Sequence, residues 1–273
     1  MTLKFSVAAI ILLFLGWQTA SAQVFTNDDL SISRLEKNMW VVETDDKASM
    51  YIIEGSDKAM LIDTGTKCEK LDSVVRLITQ KPLYVVITHL HPDHAGNVKY
   101  FDEIYYHPAD SVLIGRKGVG YTGKTHYVAD GQTFDLGGTT LEVRLMPGHT
   151  PGSIVLLDWD AGNCYSGDAF GSGQVWMQLQ PHVPMATYAQ SCRTMESLME
   201  RGITKLYCGH YPHVKKAFDK TYMTEMRQLA EQLSSGTAPE GNPYPLVIPG
   251  AAQKPMIVTN GSASIVYDPE HIN

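Results

Sequence analysis

Leu83-Tyr84-Val85-Val86-Ile87-Thr88-His89-Leu90-His91-Pro92-Asp93-His94-Ala95-Gly96 is the stretch on which the reading of this chain turns. The apolar run 83–87 reads as a short buried strand. It ends in imidazoles and a carboxylate, as a strand does when it delivers side chains to a site at its carboxyl end. His89, His91, Asp93 and His94 fall within six residues. Neutral imidazoles and an ionised carboxylate are nitrogen and oxygen donors suited to a borderline divalent metal. A strand would put residues 89 and 91 on one face. Residues 93 and 94 cannot share a strand face, so the chain must turn at Pro92 and offer them differently, which favours two ions over one.

Three more candidates each follow an apolar strand: His149 in Met146-Pro147-Gly148-His149, Asp168 in Tyr165-Ser166-Gly167-Asp168, and His210 in Tyr207-Cys208-Gly209-His210. A glycine precedes each, and a missing side chain there lets backbone approach closely. A lone histidine is ordinarily a surface or core residue. The density of residues 89–94 and the repeated glycine–ligand pairing set these apart from His107, His126, His182 and His213, which lack such partners.

Working outward, the 273 residues carry 22 Lys+Arg against 29 Asp+Glu, a net charge of −7, and no basic run longer than a pair. That balance argues against nucleic acid as the partner, which demands a concentrated positive surface. It leaves a small-molecule substrate open. Lys4, the apolar run 7–15 and Thr19-Ala20-Ser21-Ala22 read as a signal peptide over residues 1–22, cleaved after Ala22. The apolar run is too short for the roughly 20 residues of a membrane span, so no stable membrane insertion is expected after cleavage. The product is expected to be periplasmic or secreted, with residues 23–273 forming one domain. Cys68, Cys164, Cys192 and Cys208 lie in that part, widely spaced and without a C-x-x-C. They are read mainly as small buried side chains.

Alternation and turn residues predict strands at 40–42, 50–53 and 59–62, a helix at 68–79, strands at 83–87 and 103–106, and a short helix at 108–114. Strands follow at 125–128, 131–136 and 140–145, then a hairpin of 153–157 with 163–166. A helix over 185–200, a strand over 205–208, a helix over 214–232 and a hairpin of 256–259 with 262–267 complete the order. The last turn is read as type I′ across Asn260-Gly261. Residues 23–36 are expected to be peripheral. Two sets of strands with associated helices favour an α/β fold of two packed sheets with helices outside.

Thr88-His89-Leu90-His91-Pro92-Asp93-His94-Ala95-Gly96 matches T-H-x-H-x-D-H-x-G, and with the later His, Asp and His the chain resembles the metallo-β-lactamase superfamily over about residues 39–267. The resemblance implies an αββα sandwich of two mixed β-sheets flanked by helices, with two divalent metal ions at one edge. It assigns His89, His91 and His149 to the first ion, Asp93, His94 and His210 to the second, and Asp168 as the bridge. Asp63 matches the family's early aspartate that supports the site from behind the ligands. Zinc is the expected metal, and manganese or iron accept similar donors.

The implied reaction is attack of a metal-activated hydroxide on a small carbonyl substrate, with Asp93 both holding the second ion and orienting the nucleophile. Tyr211, next to His210, is a further catalytic candidate whose hydroxyl could face an oxyanion. Phe170, Trp176 and Met177 are candidates for an apolar substrate wall. Asp168 stands where typical lactamases of the superfamily place Cys or Ser, whereas lactonases and glyoxalase-like thioesterases have this Asp. The glyoxalase branch should add a basic C-terminal region, which 238–255 does not resemble. The expected substrate is a lactam, a lactone or an activated ester. A phosphodiesterase, a glyoxalase-like thioesterase and a non-catalytic zinc-binding protein are the alternatives.

Overall fold

The computed structural model describes residues 22–273. The segment expected as a cleaved leader lies, apart from Ala22, outside the described residues.

Eight strands form the first sheet in sequence order: β1 (Ala22–Thr26), β2 (Leu30–Glu36), β3 (Met39–Thr44), β4 (Ser49–Glu54), β5 (Ala59–Ile62), β6 (Leu83–Val86), β7 (Glu103–Tyr106) and β8 (Lys124–Tyr127). β1 to β5 run antiparallel to their neighbours, and β5 to β8 are parallel. The middle strands are apolar at consecutive positions because both faces must be covered. In β4, Met50 and Ile52 face one cluster, with Leu61, Leu71 and Val75, while Tyr51 and Ile53 face another. That second cluster also holds Leu141, Val143, Ile154 and Leu156.

Those residues belong to the second sheet, in which β9 (Thr133–Asp135), β10 (Thr140–Leu145), β11 (Ile154–Asp158) and β12 (Asn163–Gly167) are joined by β14 (Lys205–Cys208), parallel to β12. Its other face, with Val155, Leu157 and Leu206, is covered by two long helices. The layers are therefore helix, sheet, sheet, helix. A small third sheet, in the order β13 (Val175–Trp176), β17 (Ala263–Tyr267), β16 (Met256–Asn260), β15 (Asn242–Pro243), extends the same side.

Short helices α1 (Leu71–Val75) and α2 (Pro92–Ala95) accompany the first sheet, and α3 (Met185–Glu200), α4 (Tyr211–Val214) and α5 (Lys220–Ser235) the second. Burial on α3 follows Met185, Tyr188, Ala189, Cys192, Met195 and Met199, one helical stripe. On α5 the stripe is Tyr222, Met226, Leu229 and Leu233. Truncating a fully buried residue such as Leu229 to Ala would cost about 2–5 kcal/mol. Among the described residues no helix is long and apolar enough to cross a membrane.

Four local expectations are corrected. Residues 23–36 are not peripheral: Leu30 and Ile32 are buried and extend the first sheet. The helix expected over 68–79 starts only at Leu71, after left-handed Lys67 and Lys70, and ends at Val75. The helix expected over 214–232 is interrupted at left-handed Lys215, and α5 starts only after Asp219, whose carboxylate accepts hydrogen bonds from the Thr221 and Tyr222 amides. In the last hairpin Asn260 pairs with Ala263, so the turn is Gly261-Ser262, with positive φ at its glycine. All four cysteines are free and buried.

Candidate metal centre

Four strand ends open at one edge of the sandwich. The chain leaving β6 carries His89, that leaving β10 carries His149, and β12 and β14 deliver Asp168 and His210 side by side because they are parallel neighbours. α2 is the turn required at Pro92. It puts the proline at its first position, where a missing amide costs nothing, and it swings Asp93 and His94 away from His91.

The seven residues converge as two groups. His89, His91 and His149 form one, and Asp93, His94, Asp168 and His210 the other, with one donor atom per residue lying within 4.8 Å of its fellows in each. His91 Nδ1 is 2.9 Å from His149 Nε2. His210 Nε2 is 3.2 Å from Asp168 Oδ2 and 3.4 Å from Asp93 Oδ2. Asp168 reaches both groups: Oδ1 is 3.5 Å from His94 Nε2, and Oδ2 is 3.8 Å from His149 Nε2.

The outward ring nitrogens are fixed from behind. His94 Nδ1 is 2.8 Å from Asp63 Oδ2, His149 Nδ1 2.8 Å from the Trp176 carbonyl, and His210 Nδ1 3.0 Å from the Lys47 carbonyl. Each contact leaves Nε2 free to face the centre. The Nε2 atoms of His89 and His94 are buried without any hydrogen-bond partner. A buried polar atom left unpaired costs about 1–3 kcal/mol, and a metal ion is the partner that this donor set accepts. The residues fit two divalent ions.

Electrostatics divide the two groups. Burial lowers the basicity of His89, and burial with the neighbouring His149 pushes His91 down to about 3. Burial likewise lowers His149, against the pull of Asp168. Burial also opposes protonation of His94 and His210, yet the surrounding carboxylates, Asp168 foremost, overcome it and hold both above the ordinary histidine range. Burial would raise Asp93 and Asp168, but adjacent imidazoles win and keep both low.

The glycine before each ligand has a spatial reason. A Cβ on Gly209 would lie 2.4 Å from His94 Cε1 and 2.6 Å from Asp168 Oδ1. One on Gly167 would lie 2.2 Å from Thr88 Oγ1, at a φ of +48° that also favours glycine.

A cleft of about 600 Å³ lies over the centre, reaching His91, Asp93, His149, Asp168 and His210. Of the expected apolar wall, Trp176 lines it, while Phe170 and Met177 are buried in the core beneath α3. Tyr211 packs against the core between the sheets, its ring 6.3 Å from that of Tyr207. His213, which the sequence sets apart from the ligands for want of partners, lines the cleft with its ring 5.8 Å from that of His210.

Three residues escaped sequence reasoning. Asp110, 1% exposed, accepts hydrogen bonds from the Leu90 and Gly152 amides and the Thr150 hydroxyl, so one carboxylate ties the His89–His91 segment to the segment after His149. An isolated aspartate in a short 3₁₀ turn gives no warning of that. Among the described residues, exposed Arg116 and Lys117 bring the only charged nitrogens of Lys or Arg to the cleft lining, and Arg116 Nη1 donates to the Gln180 carbonyl at 3.1 Å. Being adjacent cations in a loop, they look in sequence like any solvated pair.

The family model described as "Metallo-beta-lactamase superfamily" matches residues 44–210. An acyl-coenzyme A thioesterase, MBLAC2, from Gallus gallus is 27% identical, over 62% of this chain and 74% of the relative. The probable metallo-hydrolase YqgX of Bacillus subtilis is 28% identical, over 47% of this chain and 69% of its own length. A metallo-beta-lactamase from Erythrobacter litoralis superposes with a TM-score of 0.60 at 19% identity, covering 77% of this chain and all of that one. The DIM-1 metallo-beta-lactamase gives 0.59 at 16%, covering 75% and 97%.

Proposed function

The chain belongs to the metallo-beta-lactamase superfamily, and from that premise we propose that it is a dinuclear hydrolase of activated acyl carbonyls, turning over lactones, esters or thioesters ahead of lactams. The fold and the two ligand groups are those of a metal-dependent hydrolase. The observation that carries the finer reading is the placement of Asp168 between the groups, at the floor of a cleft with one cationic rim and one apolar wall.

Two divalent ions, zinc by preference, would supply Lewis acidity there and make a water nucleophilic at neutral pH. The protein's own groups do the rest. Asp93 keeps 40% of its side chain exposed to the cleft and is held ionised by His94 and His210. Its Oδ2 can accept the proton of the attacking water and return it to the departing alcohol or thiol. Trp176, Leu179 and Ile248 offer an apolar surface to the acyl part, while Arg116 and Lys117 offer charge to an anionic leaving group. Asp168, which reaches both ligand groups, would add negative charge to any ions held there and so would disfavour the anionic nitrogen left by lactam opening. The thioesterase name of the MBLAC2 relative supports an acyl substrate.

The test is a panel of β-lactams, acyl lactones, acyl thioesters, aryl esters and aryl phosphodiesters at equal metal loading. The expected result is highest kcat/KM on a lactone, ester or thioester. Lactam turnover far above all of these would overturn the ranking, and activity confined to phosphodiesters would reject the acyl reading. Export belongs to the same proposal: the protein recovered from a producing cell should lie outside the cytoplasm and begin at Gln23, and an intact amino terminus in the cytoplasm would refute it.

A further inference from the structure

Away from the cleft, the tail after β17 folds back toward the start of α3. The first amides of that helix need acceptors, and its N-cap residue, Pro184, has no side chain to provide one. The tail provides them: Met185 N donates to the Ile272 carbonyl at 2.7 Å, and Ala186 N to Asn273 Oδ1 at 3.3 Å. Asn273 Nδ2 in turn donates to the Ser234 carbonyl at the end of α5. This docking brings His271 and Asp268 against His182, almost ninety residues away in sequence.

The three side chains lie close enough together to share one ion. His182 and His271 lie ring over ring, centroids 4.8 Å apart and 11° from parallel. Asp268 is 7% exposed, with Oδ2 2.8 Å from His271 Nδ1. One donor atom from each residue lies within 4.8 Å of the others. His182 Nδ1 is buried and has no hydrogen-bond partner, the same signal that marks His89 and His94 in the main centre. Two imidazoles and a carboxylate form a nitrogen- and oxygen-donor set suited to zinc, with a fourth position left for water. Tetrahedral coordination spaces its donors about 3.3 Å apart, and because imidazole lone pairs lie in the ring plane, the exposed His271 ring must turn out of its stack on His182 to close the set.

We propose that His182, Asp268 and His271 form a third divalent-cation site that clips the segment after β17 to the segment leading into α3. None of the three lines the cleft, but Gln180, two residues before His182, does. An ion here would anchor the segment that carries Leu179 and Gln180, and with it one wall of the cleft, while taking no part in the reaction. The assignment is independent of the substrate reading above.

The experiment counts zinc per chain by elemental analysis after equilibrium dialysis against low-micromolar free zinc, for the wild type, for H182A/H271Q and for H271Q alone. The wild type should hold one ion more than the double variant. H271Q alone, at an exposed position that does not threaten folding, should weaken that extra ion at least tenfold. Both variants should keep wild-type kcat at saturating zinc. In parallel, zinc should protect the wild-type tail, but not that of H271Q, from a serine carboxypeptidase. Equal ion counts in wild type and variants, or tail protection that does not respond to zinc, would overturn the site. If the double variant does not fold, the H271Q comparison decides. Failure here leaves the ions of the main centre as they are, because a wild type and variants that all hold two ions would refute only the third.

Discussion

Asp63 Oδ2 lies 2.8 Å from His94 Nδ1 in a pocket where both side chains are nearly inaccessible, 2% and 0% exposed. The same carboxylate accepts hydrogen bonds from the Thr88 amide at 2.7 Å and the Thr88 hydroxyl at 2.8 Å. One residue after β5 therefore fixes both the end of β6 and the orientation of a ligand. Asp63 itself sits at φ 63°, a left-handed conformation that aspartate tolerates better than most residues. D63N should keep the fold and lower metal affinity at the His94 group by about 10–100-fold. D63A leaves three buried partners unpaired and should also cost roughly 3–5 kcal/mol in unfolding free energy. Metal titration and denaturant melts of both variants check this, and unchanged metal affinity in D63N would remove Asp63 from its supporting role.

Asp93 lines the cleft with 40% of its side chain exposed. D93N should lower kcat by about 10²–10⁴-fold with little change in KM, because the lost carboxylate acts on the proton in flight. Steady-state kinetics at matched metal content test this. A rise in KM alone would make Asp93 a substrate-recognition residue.

Metal binding should release protons unequally. In the metal-free protein His94 and His210 hold protons above the ordinary histidine range, whereas His89, His91 and His149 are depressed and neutral. Lowering the pH through the neutral range should therefore weaken the Asp93–His94–Asp168–His210 site by about tenfold per pH unit for each proton displaced. The His89–His91–His149 site should hold its affinity, since its protons compete only at lower pH. Raising the pH past the elevated values of His94 and His210 should abolish the release. Calorimetric zinc titrations in buffers of different ionisation heat report the proton count directly, and equal release at both sites would contradict the division.

Gly209 faces the backs of two ligands. G209A must displace His94 or Asp168, since its Cβ would sit within 2.6 Å of atoms of both. Loss of at least one ion per chain is expected, with far-UV circular dichroism retained. A variant with full metal content would show that the loop can yield.

Arg116 and Lys117 stand at the rim, exposed to water. R116A/K117A should raise KM for anionic substrates roughly three- to tenfold while leaving kcat and neutral substrates unchanged. The wild-type preference should itself fade with added salt, since exposed charges are screened within about 8 Å at physiological ionic strength. A salt-independent preference would place the recognition elsewhere.

The sequence by itself determined what is local. Residues 83–94 had to be a buried strand ending in donors, because a continuous apolar run cannot stop at three imidazoles without a use for them, and Pro92 had to turn the chain. The helix over 185–200 and the strand over 205–208 follow from periodicity alone and stand at those bounds. Polar Ser31 and Ser33 on the open face of β2 hid a strand whose Ile32 is fully buried. Left-handed backbone at Lys70 and Lys215 cut two helices that side-chain pattern alone would continue. Only the tertiary structure decided the long-range pairings. Parallel β12 and β14 set Asp168 beside His210, Asp110 joins the ligand segments around Leu90 and Thr150, Arg116 and Lys117 reach the cleft, and the returning tail lays His271 on His182. Such contacts depend on how distant elements pack, and spacing along the chain carries no record of that.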